Sequence, residues 1–340
     1  MSEKIENLLG EDRTFDPPSS IVENANATQE WFDLANEDRL AYWQKQALER
    51  ITWYKEPKEI LDDSDAPFYK WFKDGELNLA YNCLDRHLET DGDRIAFYWE
   101  GEPGDSQEIT YQDLYERVCK LSNGLKELGV KKGDRIAIYL GMTPEIVISM
   151  LACARIGAVH SVVFGGFSAE ALADRINDAE AKVVITADGA WRRGDIVPLK
   201  QNVDDSLKLT DHIESVIVVK RTENEVTMVD GRDYWYSELV DKQEADCEPE
   251  VMNAEDMLYI LYTSGTTAKP KGIVHTQAGY LTGVTTTHSA VFDVKEDDIY
   301  WCAADCGWVT GHSYIVYGPL ANKTTSVMYE GAPNAPDEKR

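Results

Sequence analysis

Strand-like and helix-like patterns alternate along the chain between about residue 90 and residue 220. Residues 110–129, 143–156 and 168–179 carry apolar residues at intervals of three and four, which is the spacing of an amphipathic helix. Strands that alternate with helices of this length form parallel sheets with helices on their faces. The sequence therefore predicts an α/β fold. The apolar segments expected to form its strands are 94–99, 134–140, 160–164, 182–186 and 215–220.

Local signals mark the ends of these helices. Thr110 and Ser168 stand at the N-cap positions of the first and third helix, where a side-chain hydroxyl can accept a backbone N–H. Gly129 follows the first helix and is expected to end it.

A polar loop follows a further apolar segment at 257–262, which we expect to be a buried strand. Glycines in the loop allow the backbone to approach a ligand closely, while exposed amides and lysines attract anions. The spacing is wrong for a Walker P-loop, and an ordinary surface turn of the same residue types is the alternative. The residues expected to bind phosphates are Thr263, Ser264, Gly265, Thr266, Thr267, Lys269, Lys271 and Gly272.

The charge of the chain narrows the classes of partner. The 340 residues include 34 Lys and Arg against 61 Asp and Glu, a net charge of −27. Such a field repels nucleic acid and anionic membranes, so we expect neither as a partner. Because 43% of residues are hydrophobic and 10% aromatic, this is an acidic surface on a folded protein. Adaptation to high salt is one physical interpretation.

Six cysteines lack the density and spacing of a disulfide scaffold, which favours a reducing cytoplasm. Cys302, Cys306 and His312 lie near one another in sequence, but no second cysteine pair completes a metal site. We therefore predict buried free thiols and no metal site. The apolar run at 146–154 is too short to cross a bilayer, and no secretory signal precedes it.

Two N-terminal segments differ from the α/β body. Residues 1–26 have few apolar positions and are expected to be loosely ordered. Residues 27–89 carry four of the nine tryptophans. We expect this aromatic stretch to be irregular and to dock onto the body, which occupies residues 90–340.

The polar loop resembles the [ST]-[ST]-G-[ST]-T-G-x-P-K-G signature of adenylate-forming enzymes, with Ala268 in place of a glycine. Longer blocks are similar to AMP-forming acetyl-CoA synthetases. They are LNLAYNCLDRHL at 77–88, VVFGGFSAEALADRI at 162–176, WCAADCGWVTGHSYIVYGPL at 301–320 and YEGAPNAP at 329–336. The resemblance implies that residues 27–89 are the N-terminal segment of such an enzyme and that 90–340 are the first part of its AMP-binding domain.

The resemblance also implies a reaction. Members of this family join acetate to ATP, giving acetyl-adenylate and pyrophosphate, and then transfer the acetyl group to coenzyme A. Mg²⁺ accompanies the nucleotide, and the polar loop would hold the β- and γ-phosphates. His275 and His312 are expected to be structural, because attack by an ionised carboxylate needs no base. Residues implied to line the acyl pocket are Trp308, Val309, Thr310 and Gly311, with simple core filling as the alternative for Trp308 and Val309.

A coenzyme A site is implied around a pair of arginines, since arginine grips phosphate with two parallel hydrogen bonds. Asp195 departs from family members that have arginine there, and its carboxylate would repel phosphate; Arg193 would have to compensate. Solvated surface charge is the alternative for the arginines, and an ordinary turn for the glycine pair. The implied residues are Arg192, Arg193, Gly194, Asp195, Gly165, Gly166, Thr310 and Asn334.

Family members are about twice as long as this chain, so we expect an N-terminal fragment that is inactive alone. A synthetase for propionate or another short acid is a second hypothesis. A short protein that binds coenzyme A or nucleotide without chemistry is a third. The reading frame downstream of Arg340 separates the first and third.

Overall fold

A seven-stranded sheet forms the centre of the computed structural model, which describes residues 14–263, 270–332 and 334–335. In chain order the strands are β1 Leu61–Asp62, β2 Lys70–Trp71, β3 Glu76–Leu77, β4 Ile95–Glu100, β5 Ser106–Thr110, β6 Arg135–Tyr139, β7 Val159–Val162, β8 Val183–Ala187, β9 Ala190–Arg192, β10 Asp195–Val197, β11 Ser215–Val219, β12 Asp233–Trp235, β13 Met252–Asn253, β14 Met257–Thr263, β15 Lys271–Thr276, β16 Ile299–Trp301 and β17 Thr325–Tyr329.

The helices are α1 Ser19–Asn24, α2 Gln29–Glu37, α3 Arg39–Arg50, α4 Leu79–Cys83, α5 Asp85–Asp91, α6 Tyr111–Glu127, α7 Pro144–Arg155, α8 Ala169–Ala179, α9 Leu199–Ser206, α10 Tyr236–Val240, α11 Gln277–Val291, α12 Val309–Gly311 and α13 Gly318–Ala321. A short 3₁₀ helix follows α9, and a π-helix at His312–Tyr317 joins α12 to α13.

The central sheet has the strand order β12-β11-β8-β6-β7-β14-β15. All neighbours in it are parallel except β14 and β15, which pair antiparallel. Strands β7, β8 and β11 are buried at every position, as expected when helices cover both faces of a parallel sheet. The predicted α/β fold is confirmed, and the predicted strands match the observed ones to within about two residues.

A second sheet of four strands has the order β16-β17-β4-β5. Strand β17 lies parallel to both β4 and β16, while β5 returns antiparallel to β4. The strand predicted at 94–99 therefore belongs to this second sheet, because its partner β17 comes from a distant part of the chain.

Helix ends follow the predicted caps. The Thr110 hydroxyl accepts the Asp113 N–H at 3.0 Å, and the Asp113 carboxylate accepts the Thr110 N–H at 3.1 Å, which completes a capping box. The Ser168 hydroxyl caps α8 by accepting the Ala171 N–H at 3.3 Å. No helix in the described ranges has both the length and the apolar composition to cross a membrane.

The segment expected to be irregular is partly helical, since α2 and α3 occupy most of residues 29–50. It docks on the body as predicted: the Asn78 side chain donates to the carbonyls of Ala154, Arg155 and Glu250 at 2.9–3.1 Å. Of the first 26 residues, 1–13 lie outside the described part. Helix α1 has no buried residue.

The cysteine prediction needs one correction. The six thiols are free, and five of them are buried, but Cys302 is partly exposed. Its chain position explains this, because Cys302 follows the edge strand β16 and faces a cavity.

Candidate functional site

A cavity of about 450 Å³ opens at the carboxyl ends of strands from both sheets. Met142 follows β6, Phe164 follows β7, and residues 301–305 include the end of β16 and the segment after it. Ligands of α/β proteins commonly bind at this edge of a sheet. The cavity is lined by Met142, Phe164, Arg192, Arg193, Trp301, Cys302, Ala303, Ala304, Asp305, Trp308, Ile315, Met328, Tyr329, Gly331, Ala332 and Asn334. Four residues expected from the sequence meet here: Arg192, Arg193, Trp308 and Asn334.

The two arginines stand on a tight hairpin formed by β9 and β10. Arg193 and Gly194 form its turn with φ values of 55° and 82°, a left-handed pair typical of two-residue hairpin loops. Arg192 pairs across the hairpin with Asp195, which is exposed and does not line the cavity. The structure therefore presents both arginines to the cavity and leaves Asp195 in solvent.

The Phe164 ring lies between Arg192 and Trp308. The Arg192 guanidinium lies 5.0 Å from the centre of the Phe164 ring, and that ring lies 5.8 Å from the Trp308 ring. Burial raises the pKa of the Asp305 carboxyl above its ordinary value, although the Gly307 N–H and the Arg192 charge oppose this. The Asp305 carboxylate accepts that Gly307 N–H at 2.7 Å.

The expected acyl-pocket segment is only partly at the cavity. Trp308 lines it, whereas Val309, Thr310 and Gly311 do not. Trp308 and Val309 are 49% and 46% exposed, so neither belongs to the hydrophobic core of the described residues. Gly311 is buried, and a Cβ there would lie 2.1 Å from the Asp305 carbonyl oxygen, so only glycine fits this close approach.

The two glycines after β7 differ in their position relative to the cavity. Gly165 lines a narrow extension of the cavity, but Gly166 does not. The Tyr139 hydroxyl donates to the carbonyl of Phe167 at 2.7 Å and lies 3.1 Å from that of Gly165. Tyr139 therefore holds this turn in place.

The residues predicted to bind phosphates begin at the end of β14 and extend into β15, and these two strands pair antiparallel. Ser264, Gly265, Thr266, Thr267 and Lys269 lie outside the described residues. Thr263 and Lys271 face each other across β14 and β15, and Gly272 follows in β15. Because β14 lies parallel to β7, it ends at the same edge of the sheet as the turn at 163–167. Thr263 and Lys271 line none of the cavities described above.

A buried cluster of rings lies between the expected acyl segment and the strand that follows the loop. The His312 ring lies 4.4 Å from Tyr259 and 5.7 Å from His160, and the His275 ring lies 4.5 Å from Tyr259. Burial lowers the pKa of His312 to about 4 and also lowers the pKa of His160 and His275. Burial thus favours the neutral form of all three imidazoles, and the structural role expected for His275 and His312 stays a prediction. Within the described part of the chain, no group of three His, Cys, Asp or Glu side chains suits a metal.

Sequence reasoning missed three polar residues around the cavity. The side chains of Tyr139 and Glu102 form hydrogen bonds with backbone groups of other segments, and neither residue stands in a motif. Glu330 lies within the quoted block at 329–336, which was a usable signal.

The chain belongs to the AMP-binding enzyme family, whose model matches residues 84–340. A second model, the acetyl-coenzyme A synthetase N-terminus, matches residues 17–83. The resemblance expected from the sequence is confirmed.

Particular relatives are acetyl-coenzyme A synthetases. That of Streptomyces avermitilis is 59% identical over 341 residues, covering 100% of this chain and 52% of the relative. That of Streptomyces coelicolor is 58% identical with the same coverage. That of Pasteurella multocida is 54% identical over 98% of this chain and 52% of its own length. The chain thus spans about half the length of these curated relatives.

Proposed function

We propose that the protein serves as an AMP-forming acetate–CoA ligase in the cytoplasm. Acetate reacts with ATP, which enters as its magnesium complex, to give acetyl-adenylate and pyrophosphate, and coenzyme A then takes the acetyl group. The observation that carries the proposal is the convergence of Arg192, Arg193, Trp308 and Asn334 on one cavity at the strand ends. The names of the similar proteins support the same reaction.

Coenzyme A is the ligand proposed for the arginine side of the cavity. Its phosphates require cations, and two guanidinium groups face this cavity on a chain whose net charge is −27. The Arg192 guanidinium lies over the Phe164 ring, 5.0 Å from its centre, and this contact does not use its N–H groups as hydrogen-bond donors. Asp195 lies in solvent, so its repulsion of a phosphate is screened, and Arg193 at the turn supplies the compensating charge.

A narrow passage is proposed for the pantetheine arm. Gly165 borders the extension of the cavity together with Gly141 and Ala190, so this part of the wall carries little side-chain bulk. Gly166 is proposed to allow the tight turn beside the passage, since a Cβ there would lie 2.5 Å from the Phe164 ring. Gly194 permits the hairpin turn that presents the arginines.

The acyl group is proposed to bind at residues 308–311. Trp308 and Val309 leave about half of their apolar surface available to a small ligand, and Thr310 is exposed beside them. A methyl group buried against such side chains gains about 0.8 kcal/mol per carbon. The carboxylate of acetate is already ionised at neutral pH, so the attack on the α-phosphate requires charge neutralisation and alignment, which general-base catalysis does not provide.

The loop between β14 and β15 is proposed to hold the pyrophosphate end of ATP. Thr263 and Lys271 bracket it at the sheet edge, and the Lys271 ammonium group is exposed there. A lysine and backbone amides would stabilise the charge that develops on the leaving pyrophosphate. The magnesium ion that accompanies ATP neutralises further phosphate charge.

Product analysis of the full-length gene product tests the proposal. With acetate, ATP, Mg²⁺ and coenzyme A, we expect acetyl-CoA, AMP and pyrophosphate in equal amounts. Formation of ADP and phosphate, or absence of thioester, would refute it. Competition between acetate and propionate in the same assay reports the acid that the enzyme prefers.

A further inference from the structure

A buried carboxylate joins two segments that border the cavity. Glu102 is 8% exposed. Its Oε1 accepts the Gly194 N–H at 2.6 Å, and its Oε2 accepts the Ala332 N–H at 3.3 Å. Gly194 belongs to the arginine turn, defined as residues 192–194, and Ala332 lies two residues before Asn334. One side chain therefore links the arginine turn to the segment that leads to Asn334.

The backbone around Glu102 is shaped to receive this carboxylate. Gly331 has a φ of 88°, and a Cβ at this position would lie 1.8 Å from Glu102 Oε2. The chain can therefore pass directly over the carboxylate only because residue 331 is glycine.

A second set of charges fixes the segment that carries Glu102. Its backbone N–H donates to Glu330 Oε2 at 3.1 Å, and Glu330 is 1% exposed. Arg221 donates from Nε to Glu330 Oε1 at 2.9 Å and bonds both Asp105 oxygens at 2.9 and 3.0 Å. Arg221 also lies 5.1 Å above the Trp99 ring. Glu102 is thus anchored to β4 and β17 through buried, paired groups, where such bonds are strong.

The arginine turn stands between two cavities. Arg193 lines both the cavity of about 450 Å³ and a neighbouring one of about 410 Å³, and Glu102 lines the second. Rotation of the turn would carry the guanidinium groups out of reach of a ligand that spans the two cavities. An ordered turn avoids that loss of orientation.

We infer that Glu102 is a positioning residue that orients the arginine turn for the phosphate groups of coenzyme A. It acts through Arg192 and Arg193. The inference rests on the proposed function. It adds to the coenzyme A site a carboxylate residue that does not itself bind phosphate.

Glu102→Gln tests the inference in the full-length gene product. The substitution replaces one acceptor oxygen by a donor, so one of the two backbone links is lost while size is kept. We expect KM for coenzyme A to rise roughly tenfold, the scale of one lost charge-assisted hydrogen bond. Acetate-dependent exchange of pyrophosphate into ATP, which does not use coenzyme A, should stay within about twofold. Glu108→Gln is the matched control: it removes the same charge from an exposed position on β5.

Hydrogen exchange of the Gly194 amide gives a readout that does not depend on activity. Exchange should be faster in Glu102→Gln and unchanged in Glu108→Gln. An unchanged KM for coenzyme A, an equal fall in both reactions, or an unchanged Gly194 exchange rate would overturn the inference. If the wild-type protein makes no acetyl-CoA, the proposed function fails, and Gly194 exchange alone then decides whether Glu102 holds the turn.

Discussion

Acidification should destabilise the protein through buried histidines, and His288 allows the effect to be isolated. His288 lies on α11 and is fully buried. Asn322 donates its side-chain N–H groups to the Thr285 carbonyl at 2.9 Å and towards His288 Nδ1 at 3.1 Å. The imidazole Nδ1 must therefore act as an acceptor, which favours the neutral ring. Burial lowers the pKa of His288 from 6.5 to about 4.

The direction and size of the effect follow from proton linkage. Between pH 4 and pH 6.5 the unfolded chain binds a proton at this position and the folded chain does not, so the free energy of unfolding falls as the pH is lowered. With pKa values of about 6.5 unfolded and about 4 folded, acidification from pH 7.5 to pH 5.0 costs about 2 kcal/mol through this one side chain.

Denaturant unfolding of the 340-residue chain at the two pH values, at constant ionic strength, measures this cost. His288→Asn keeps an acceptor for Asn322 and cannot titrate, so it should lose about 2 kcal/mol less than the wild type on acidification. His212→Asn, at an exposed position, should lose as much as the wild type. Equal losses in His288→Asn and the wild type would refute the reasoning.

Three further predictions concern charge. Arg192→Ala should weaken the binding of coenzyme A at least tenfold in calorimetry, because a charge-assisted hydrogen bond contributes about 1.5–3 kcal/mol. The control Arg39→Ala should leave the dissociation constant unchanged. An unaltered dissociation constant in Arg192→Ala would contradict the proposed site. Asp195→Asn should tighten the binding of coenzyme A about two- to fivefold at low salt and have no effect near 1 M salt, since the carboxylate is exposed. Equal affinity of the variant and the wild type at low salt would count against repulsion between Asp195 and the coenzyme A phosphates. If the net charge of −27 reflects adaptation to high salt, the melting temperature should rise by several degrees between about 0.1 and 2 M salt, and a constant value would reject that hypothesis.

The central sheet could be predicted because its signals are local. Strands β8 and β11 are buried along their whole length and are therefore continuous apolar runs. The Thr110 cap and Asp113 lie within one helical turn. By contrast, the pairing of β4 with β17 joins residues more than 200 positions apart, and nothing in either strand specifies the partner.

Short and exposed elements were harder to predict. Strand β15 has exposed Ile273 and Val274, so its pattern does not alternate between buried and exposed positions. Helices α2 and α3 bury only Gln46 and Ala47 between them, so no row of buried apolar side chains distinguishes them from an irregular aromatic segment.

The candidate site was predictable where residues stand in motifs. Trp308 and Asn334 stand in the quoted blocks of sequence, and Arg192 stands in a pair of arginines beside a tryptophan and a glycine; the structure brings all three to one cavity. Glu102 and Tyr139 carry no such signal, since each bonds backbone groups in segments far along the chain. Their roles could be found only once the fold had joined those segments.

Protection from hydrogen exchange on addition of coenzyme A tests the central claim most directly. In the full-length gene product, we predict slower exchange at residues 190–195 and at Gly331, Ala332 and Asn334, because both segments contribute lining residues to the cavity. Strand β12, at the far edge of the central sheet, should be unaffected. Protection confined to other regions, or none at residues 190–195 at saturating coenzyme A, would contradict the account.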